Sequence, residues 1–461
     1  MQMRSAEFEV RNKNEKKSLE GYRKDITRCM RCGSCSTVCP SFLADRRESR
    51  SPRGRMALIE AVLEGKLAIS DVYKDRLATC AGCLACESAC ASGVPFSRII
   101  LAAREQAVRE SGPGIVASVV STALISPLLM RSFSWLAPLA LHYEKEAVKG
   151  RGKIRHGDTG ARGRGDEGSG GNKDIPASPR PRVSASGPKG RVAFFPGCAV
   201  EHFQPDIGRA SVTVLEALGY EVVIPKGLVC CGRPFLSLGD RPAAEALARK
   251  NHEILTSLGV DVFVTSCASC GLTFKKDYPT LLSPSGLDPI RVKDIHEFLA
   301  GRMGELDLVP TTIRVTWHDP CHLGRGQGLS KTSREVLKAV PGIELVEMER
   351  PDRCCGFGGV MRLSHPSLSG AIGGAKANDI VGTRTEIVVT GCPGCRMQIA
   401  DSLRRAGSEI QVVHTVQVIA QALEAPDTGT RGRGETAEGK KVSKIGRLGL
   451  LEKYIARRIN G

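Results

Sequence analysis

The cysteine pattern constrains this chain more than any other feature. Cys230-Cys231-Gly232 lies between an upstream Cys198 and a downstream Cys267-Ala-Ser-Cys270, and the arrangement returns as Cys321, Cys354-Cys355-Gly356 and Cys392-Pro-Gly-Cys395. The gaps are 31 and 35 residues in the first copy and 32 and 36 in the second. Two copies agreeing to within one residue predict a duplicated domain, 191–305 followed by 306–424. Each copy holds five cysteines, whereas a tetrahedral zinc ion or an iron–sulfur cubane takes four. Adjacent cysteines point in divergent directions unless the backbone bends, and Gly232 and Gly356 permit that bend.

Upstream stand two further runs, Cys29-Met-Arg-Cys32-Gly-Ser-Cys35-Ser-Thr-Val-Cys39-Pro40 and Cys80-Ala-Gly-Cys83-Leu-Ala-Cys86-Glu-Ser-Ala-Cys90, offset by 51 residues. Each resembles the bacterial ferredoxin motif, in which three closely spaced thiolates hold three corners of a [4Fe–4S] cubane and the fourth crosses to the other cluster. The resemblance implies Cys29, Cys32, Cys35 and Cys90 on one cluster and Cys80, Cys83, Cys86 and Cys39 on the other. Ala91 stands where the first run has Pro40, which leaves the ligands intact but loosens the turn. The stretch Met56–Gly65 has apolar residues at helical spacing, and Arg98–Glu110 reads as a second helix. Residues 1–110 are therefore expected to form an α-helical two-cluster ferredoxin domain. Arg53 and Arg55 in Ser51-Pro-Arg-Gly-Arg55 place two cations beside the anionic clusters, or are ordinary exposed arginines.

In the duplicated part, strand-like runs lead into the cysteines: Val192–Phe195 before Cys198, Asp261–Val264 before Cys267, Ile313–Trp317 before Cys321 and Ile387–Thr390 before Cys392. Helical stretches, Ile207–Leu218, Ala243–Leu258 and Arg334–Ala339, alternate with them, the βαβ pattern of a parallel sheet. The fold class expected is thus multidomain, a helical ferredoxin domain followed by two α/β cysteine-rich domains. Such folds gather ligands at the carboxyl ends of strands. Each CxxC is expected to open a helix whose positive end stabilises thiolate charge.

Eighteen cysteines in CxxC steps, behind a start without an apolar signal segment, suggest metal ligation in a reducing cytoplasm rather than disulfides. Formal charge is +17, of which +7 falls between Lys149 and Arg191 and +5 from Asp427 onward. These Gly/Arg/Lys/Ser-rich stretches read as a disordered basic linker, 146–190, and a basic tail, 425–461, solvated or attracted to acidic lipid or an acidic partner. Sparse aromatics argue against nucleic acid. The apolar segment 111–145 is interrupted by Pro127, Arg131 and Pro138, short of the roughly 20 uninterrupted residues a spanning helix needs. Two short helices packed on the cluster domain are expected there, with an interfacial membrane or partner contact as the alternative.

The five-cysteine domains are similar to those of the heterodisulfide reductase catalytic subunit, whose domains hold noncubane [4Fe–4S] clusters. By that match Cys198, Cys230, Cys231, Cys267 and Cys270 ligate one cluster, and Cys321, Cys354, Cys355, Cys392 and Cys395 another. The whole order also resembles the iron–sulfur subunit of glycolate oxidase and related lactate dehydrogenases, with Ser51–Gly65 and Ser92-Gly-Val-Pro95 carrying the likeness. The resemblance covers about residues 25–110 and 190–423. In the 2-hydroxyacid branch the second domain often lacks a full cysteine set; here it is complete. The resemblance implies two cubane and one or two noncubane clusters, and an electron-transfer subunit working with an FAD-dependent flavoprotein that oxidises glycolate or lactate. A quinone or membrane cytochrome would accept the electrons, at the inner face of the cytoplasmic membrane. The alternative is disulfide reduction at the noncubane clusters, and a third class is a metal-stapled scaffold.

His318-Asp-Pro-Cys321-His322 places two imidazoles beside a ligand cysteine, able to donate to a cluster sulfur, move a proton or serve the fold alone. His202, four residues after Cys198, is a weaker version. Gly356-Phe-Gly358-Gly359 lacks the GxGxxG form and reads as backbone enclosing a cluster. No flavin or nicotinamide motif is present, so electrons must come from a partner.

Overall fold

The computed structural model describes residues 18–114, 118–122, 188–260, 262–283, 287 and 290–423. The tail 425–461, the linker 146–190 save its last three residues, and most of the apolar segment 111–145 lie outside these residues. Among the described residues no helix is long and apolar enough to cross a membrane.

The first part is helical. Pro52–Leu63 starts earlier than its apolar spacing suggests, because the Ser51 hydroxyl accepts from the Gly54 amide and Pro52 takes the first position, where a missing N–H costs nothing. Met56 and Ile59 of this helix meet Tyr73 and Leu77 of the Asp71–Ala78 helix, and Ile99, Ala103 and Ala107 of the Phe96–Ser111 helix, in one core. Three apolar stripes at helical spacing thereby bury one another.

Two four-stranded parallel sheets follow. The first contains β1 (Arg191–Phe194), β2 (Glu221–Val223), β3 (Val262–Thr265) and β4 (Val292–Asp294) in the order β2-β1-β3-β4. The second contains β5 (Ile313–His318), β6 (Ile343–Leu345), β7 (Ile387–Thr390) and β8 (Gln411–His414) in the order β6-β5-β7-β8. The two orders are the same, so the duplication extends from cysteine spacing to topology. Val192 stands opposite both Val222 and Val262, and Val315 opposite Leu345 and Ile387. The four runs that lead into cysteines are the central pair of each sheet, buried on both faces and hence continuously apolar.

The two sheets share a core: Phe194, Val264, Ile295 and Phe298 of the first pack in one cluster with Trp317, Val389, Ile399 and Ile419 of the second. The Pro205–Ala217 helix lies against the Thr415–Ala422 helix. Asp206 fastens them, accepting from Gln417 at 2.8 Å and pairing with Arg396 at 3.1 Å. The relative placement of the two cysteine sets is thus fixed by packing and by partly buried polar contacts together.

Candidate metal centres

In the helical domain the two cysteine runs cross. One cavity is lined by Cys29, Cys32, Cys35 and Cys90, together with Arg53. Another is lined by Cys39, Cys80, Cys83 and Cys86, together with Arg55. Each loop needs two residues in the left-handed region: Arg31 at φ 53° and Gly33 at 88° in the first run, Gly82 and Leu84, both at 63°, in the second. That conformation costs a side-chain-bearing residue about 1–2 kcal/mol, so Arg31 and Leu84 hold strain imposed by the loop. The Arg53 guanidinium lies 2.8 Å from where a Cβ on Gly33 would stand. Arg55 is 2 % exposed and donates to the Arg76 carbonyl at 2.9 Å and the Thr79 hydroxyl at 2.8 Å. Arg104 donates to the carbonyls of Leu77 and Cys80 at 2.6 and 2.8 Å, and burial lowers its pKa to about 10. Four sulfurs around each cavity with a cation alongside are a donor set suited to an anionic iron–sulfur cubane.

In the duplicated domains the paired cysteines are spread by the glycine that follows them. Gly232 takes φ 92° and Gly356 φ 90°, and a Cβ on Gly356 would stand 2.6 Å from the Ser369 carbonyl oxygen. Cys267 and Cys392 each occupy the cap position of the helix that follows, Ala268–Leu272 and Pro393–Arg405. Sulfurs of Cys198 and Cys230 lie 3.7 Å apart, those of Cys355 and Cys395 3.5 Å. Hydrogen bonds from Cys230 and Cys270 hold the Cys231 thiol well below its ordinary value, and Cys354 and Cys395 do the same for Cys355. These thiols are poised as thiolates, the form that binds metal.

Two residues that spacing does not reveal support these loops. Asn251, fully buried, donates to the carbonyls of Val229 and Cys230 and accepts from the Val229 amide. Lys376, 125 residues later and also fully buried, donates to the Arg350 carbonyl at 2.6 Å and the Pro351 carbonyl at 3.3 Å. Both sit on otherwise amphipathic helices, where a lone polar residue reads as exposed.

The sulfurs form a continuous series. Cys83 of the helical domain packs with Cys354 in one buried cluster, and each thiol acts electrostatically on the next through Cys355, Cys395 and Cys392. Cys392 and Cys267 influence one another electrostatically across the domain boundary, and the series ends through Cys270, Cys231, Cys230 and Cys198. In this series the cysteines of the second duplicated domain stand between those of the helical domain and those of the first, although both duplicated domains pack against the helical one, the first through its Arg233–Leu238 helix on Phe96–Ser111.

His322 lies where the three domains meet. Its Nε2–H donates to the Gly82 carbonyl at 3.2 Å, and Nδ1 accepts from the Ser269 hydroxyl at 2.9 Å. Burial lowers its pKa to about 4, which keeps the ring neutral with this tautomer. His318 is 1 % exposed at the end of β5, and one of its ring nitrogens and the sulfurs of Cys355 and Cys395 all lie within 4.8 Å of one another. His202 ends the Gly197–His202 helix, half-buried.

Residues 25–94 match the 4Fe-4S dicluster domain, and residues 192–275 and 315–400 each match the cysteine-rich (CCG) domain. The chain is a CCG-domain iron–sulfur protein. It is 40% identical over 236 residues to a subunit of the fumarate reductase (CoM/CoB) of Methanothermobacter marburgensis, a match covering 51% of this chain and 47% of that protein. The CCG-domain chain thus spans about half the length of that relative. Over 439 residues it is 29% identical to the probable glycolate oxidase iron–sulfur subunit of Bacillus subtilis, covering 90% of this chain and 97% of the other. Over 425 residues it is 27% identical to a subunit of the dihydromethanophenazine:CoB–CoM heterodisulfide reductase of Methanosarcina barkeri, covering 87% and 94%. The 4Fe–4S clusters that these domains indicate fit the sulfur-lined cavities described above.

Proposed function

We propose that this chain is the iron–sulfur electron-transfer subunit of an oxidoreductase complex, taking electrons from an FAD-dependent flavoprotein that oxidises a 2-hydroxy acid, glycolate or lactate, and passing them to a quinone or membrane carrier. The observation that carries this reading is the unbroken series of sulfurs from Cys83 to Cys198. The cavity with Cys29, Cys32, Cys35 and Cys90 would hold one [4Fe–4S] cubane, and that with Cys39, Cys80, Cys83 and Cys86 a second. The two five-cysteine sets would hold one noncubane cluster each. Bound clusters supply reversible one-electron transfer. The protein's own part is to fix the sulfurs, exclude water and place cations: Arg53 and Arg55 offset cluster charge, while Asn251 and Lys376 hold the paired-cysteine loops. The near full-length match to the Bacillus protein supports this reading. On this reading the chain works in the cytoplasm, at the inner membrane face when its acceptor is there.

A second reading is favoured by one observation, the meeting of Cys267 and Cys392 across the domain boundary with both five-cysteine sets complete. There the pair of centres would cleave a disulfide, with the helical domain as conductor and His318 and His322 holding protons nearby. Anaerobic affinity purification from the native host separates the two. A co-purifying flavoprotein, with EPR signals reduced by glycolate or lactate, supports the first reading. A cytochrome b or hydrogenase-type partner, with signals reoxidised by a disulfide, overturns it for the second. Zinc without acid-labile sulfide overturns both.

A further inference from the structure

The two CCG domains match in topology and in their five cysteines, but they differ in one residue that faces the sulfurs of the second site. Three residues before the first cysteine of each set, the first domain has Phe195 and the second His318. Phe195 is 1 % exposed and packs edge-on against Phe274 with ring centroids 4.8 Å apart, an apolar contact suited to its place. His318 is as deeply buried, yet neither of its ring nitrogens has a nitrogen or oxygen hydrogen-bond partner. Leaving a buried polar group unsatisfied is destabilising, a cost that phenylalanine at this position avoids in the sister domain. An imidazole always carries at least one N–H. The atoms gathered with a ring nitrogen are the sulfurs of Cys355 and Cys395, all within 4.8 Å of one another.

We propose that His318 donates a ring N–H to the sulfur layer of the second CCG centre, at Cys355 or a cluster sulfide beside it, and thereby makes this centre easier to reduce than the first. The inference rests on the reading that each five-cysteine set holds an iron–sulfur centre. Reduction adds negative charge to the sulfurs, and a donor aimed at them stabilises the reduced form more than the oxidised one, so the potential rises. Phe195 offers no donor, so the first centre lacks this stabilisation. His318 is thus a tuning residue, and the duplicated sites form an unequal pair, the more easily reduced member being the one whose Cys354 packs with Cys83 of the helical domain.

Anaerobic redox titration of the full chain, followed by EPR, tests this. The second CCG signal is assigned by comparison with Cys231→Ala and Cys355→Ala, each of which removes one centre. His318→Phe, which installs the first domain's residue, lowers the potential of that signal by about tenfold in the one-electron equilibrium constant, about 59 mV. The first CCG and ferredoxin signals do not move, and iron and sulfide contents stay as in the wild type. His318→Gln, which keeps an N–H, recovers part of the shift. Wild-type protein with 15N-labelled histidine provides a measurement that needs no variant: the reduced second centre shows a weak nitrogen coupling. An unmoved potential in His318→Phe overturns the inference while leaving the two-centre reading intact. So does a strong coupling from directly bound nitrogen, or an equal shift in both variants. Absence of any second CCG signal in the wild type overturns the reading beneath it.

Discussion

Asn251 and Lys376 occupy equivalent places in the two CCG domains and do the same work with different chemistry. Each reaches from a long helix, Arg241–Thr256 or Pro366–Val381, to hold backbone carbonyls at or just ahead of the paired cysteines. Asn251 also accepts from the Val229 amide at 2.9 Å, whereas Lys376 only donates. Lys376→Met keeps the length and removes the charged donor, leaving the Arg350 and Pro351 carbonyls with only their bonds from the Arg353 and Asp319 amides. It should cost about 2–3 kcal/mol, read as a lower denaturation midpoint, with loss of iron from the second CCG site before the first. Asn251→Leu should reverse that order of loss.

Crossing of the ferredoxin runs gives a second test. Cys90 belongs to the second run in sequence but lines the cavity of Cys29, Cys32 and Cys35. Cys90→Ser should therefore perturb the centre of the first run, and Cys39→Ser that of the second. Mössbauer or EPR spectra of the two variants should show complementary losses; the same centre lost in both would contradict the crossing.

How far the sequence goes is visible in these residues. Period and spacing find β1, β3, β5 and β7, because a central strand buried on both faces is a continuous apolar run ending at a cysteine. They miss β2, β4 and β6, three residues each, and β8, with four, because these edge strands are too short to show a period. The glycines after the paired cysteines are legible, since the bend demands a left-handed residue. Leu84 in the same conformation is not, since nothing in its identity signals strain. Asn251 and Lys376 escape notice because only burial distinguishes them from surface residues. Least legible is the order of the sites in space: equal spacing makes the two domains look interchangeable, and only the approach of Cys83 to Cys354 shows whose cysteines lie nearer the second ferredoxin run.

Acid sensitivity should trace to His414. This residue caps the Thr415–Ala422 helix through Nδ1, which accepts from the Val416 amide at 3.3 Å, while Nε2 is buried without a partner. Burial, reinforced by neighbouring His296, lowers its pKa to about 4 from 6.5. The unfolded chain takes up the proton first as pH falls, so the stability contributed is complete above pH 6.5 and is lost progressively toward pH 4. Between pH 6.5 and 5 the loss amounts to about 2 kcal/mol. His414→Asn keeps a capping acceptor but cannot titrate. Denaturant midpoints of wild type and variant, compared at each pH, should converge as pH falls to 5; parallel curves would assign the acid sensitivity elsewhere.

The spatial order of the centres also predicts an asymmetry between two otherwise equivalent cysteines. Both CCG domains touch the helical domain, but in the sulfur series Cys355 follows Cys83 through Cys354, and Cys231 comes later, past Cys392 and Cys267. Cys355→Ala should abolish the second CCG signal and leave the ferredoxin signals in place. It should also cut off the first CCG centre from electrons entering through the helical domain, although that centre's own five cysteines are untouched. Cys231→Ala should remove the first CCG signal and leave reduction of the second at its wild-type rate. Freeze-quench EPR after mixing with a reductant that reaches only the helical domain separates these outcomes. Equal reduction rates for the first CCG centre in wild type and Cys355→Ala would mean that electrons reach it by another route, and the sulfur series from Cys354 to Cys392 would then be only a packing feature.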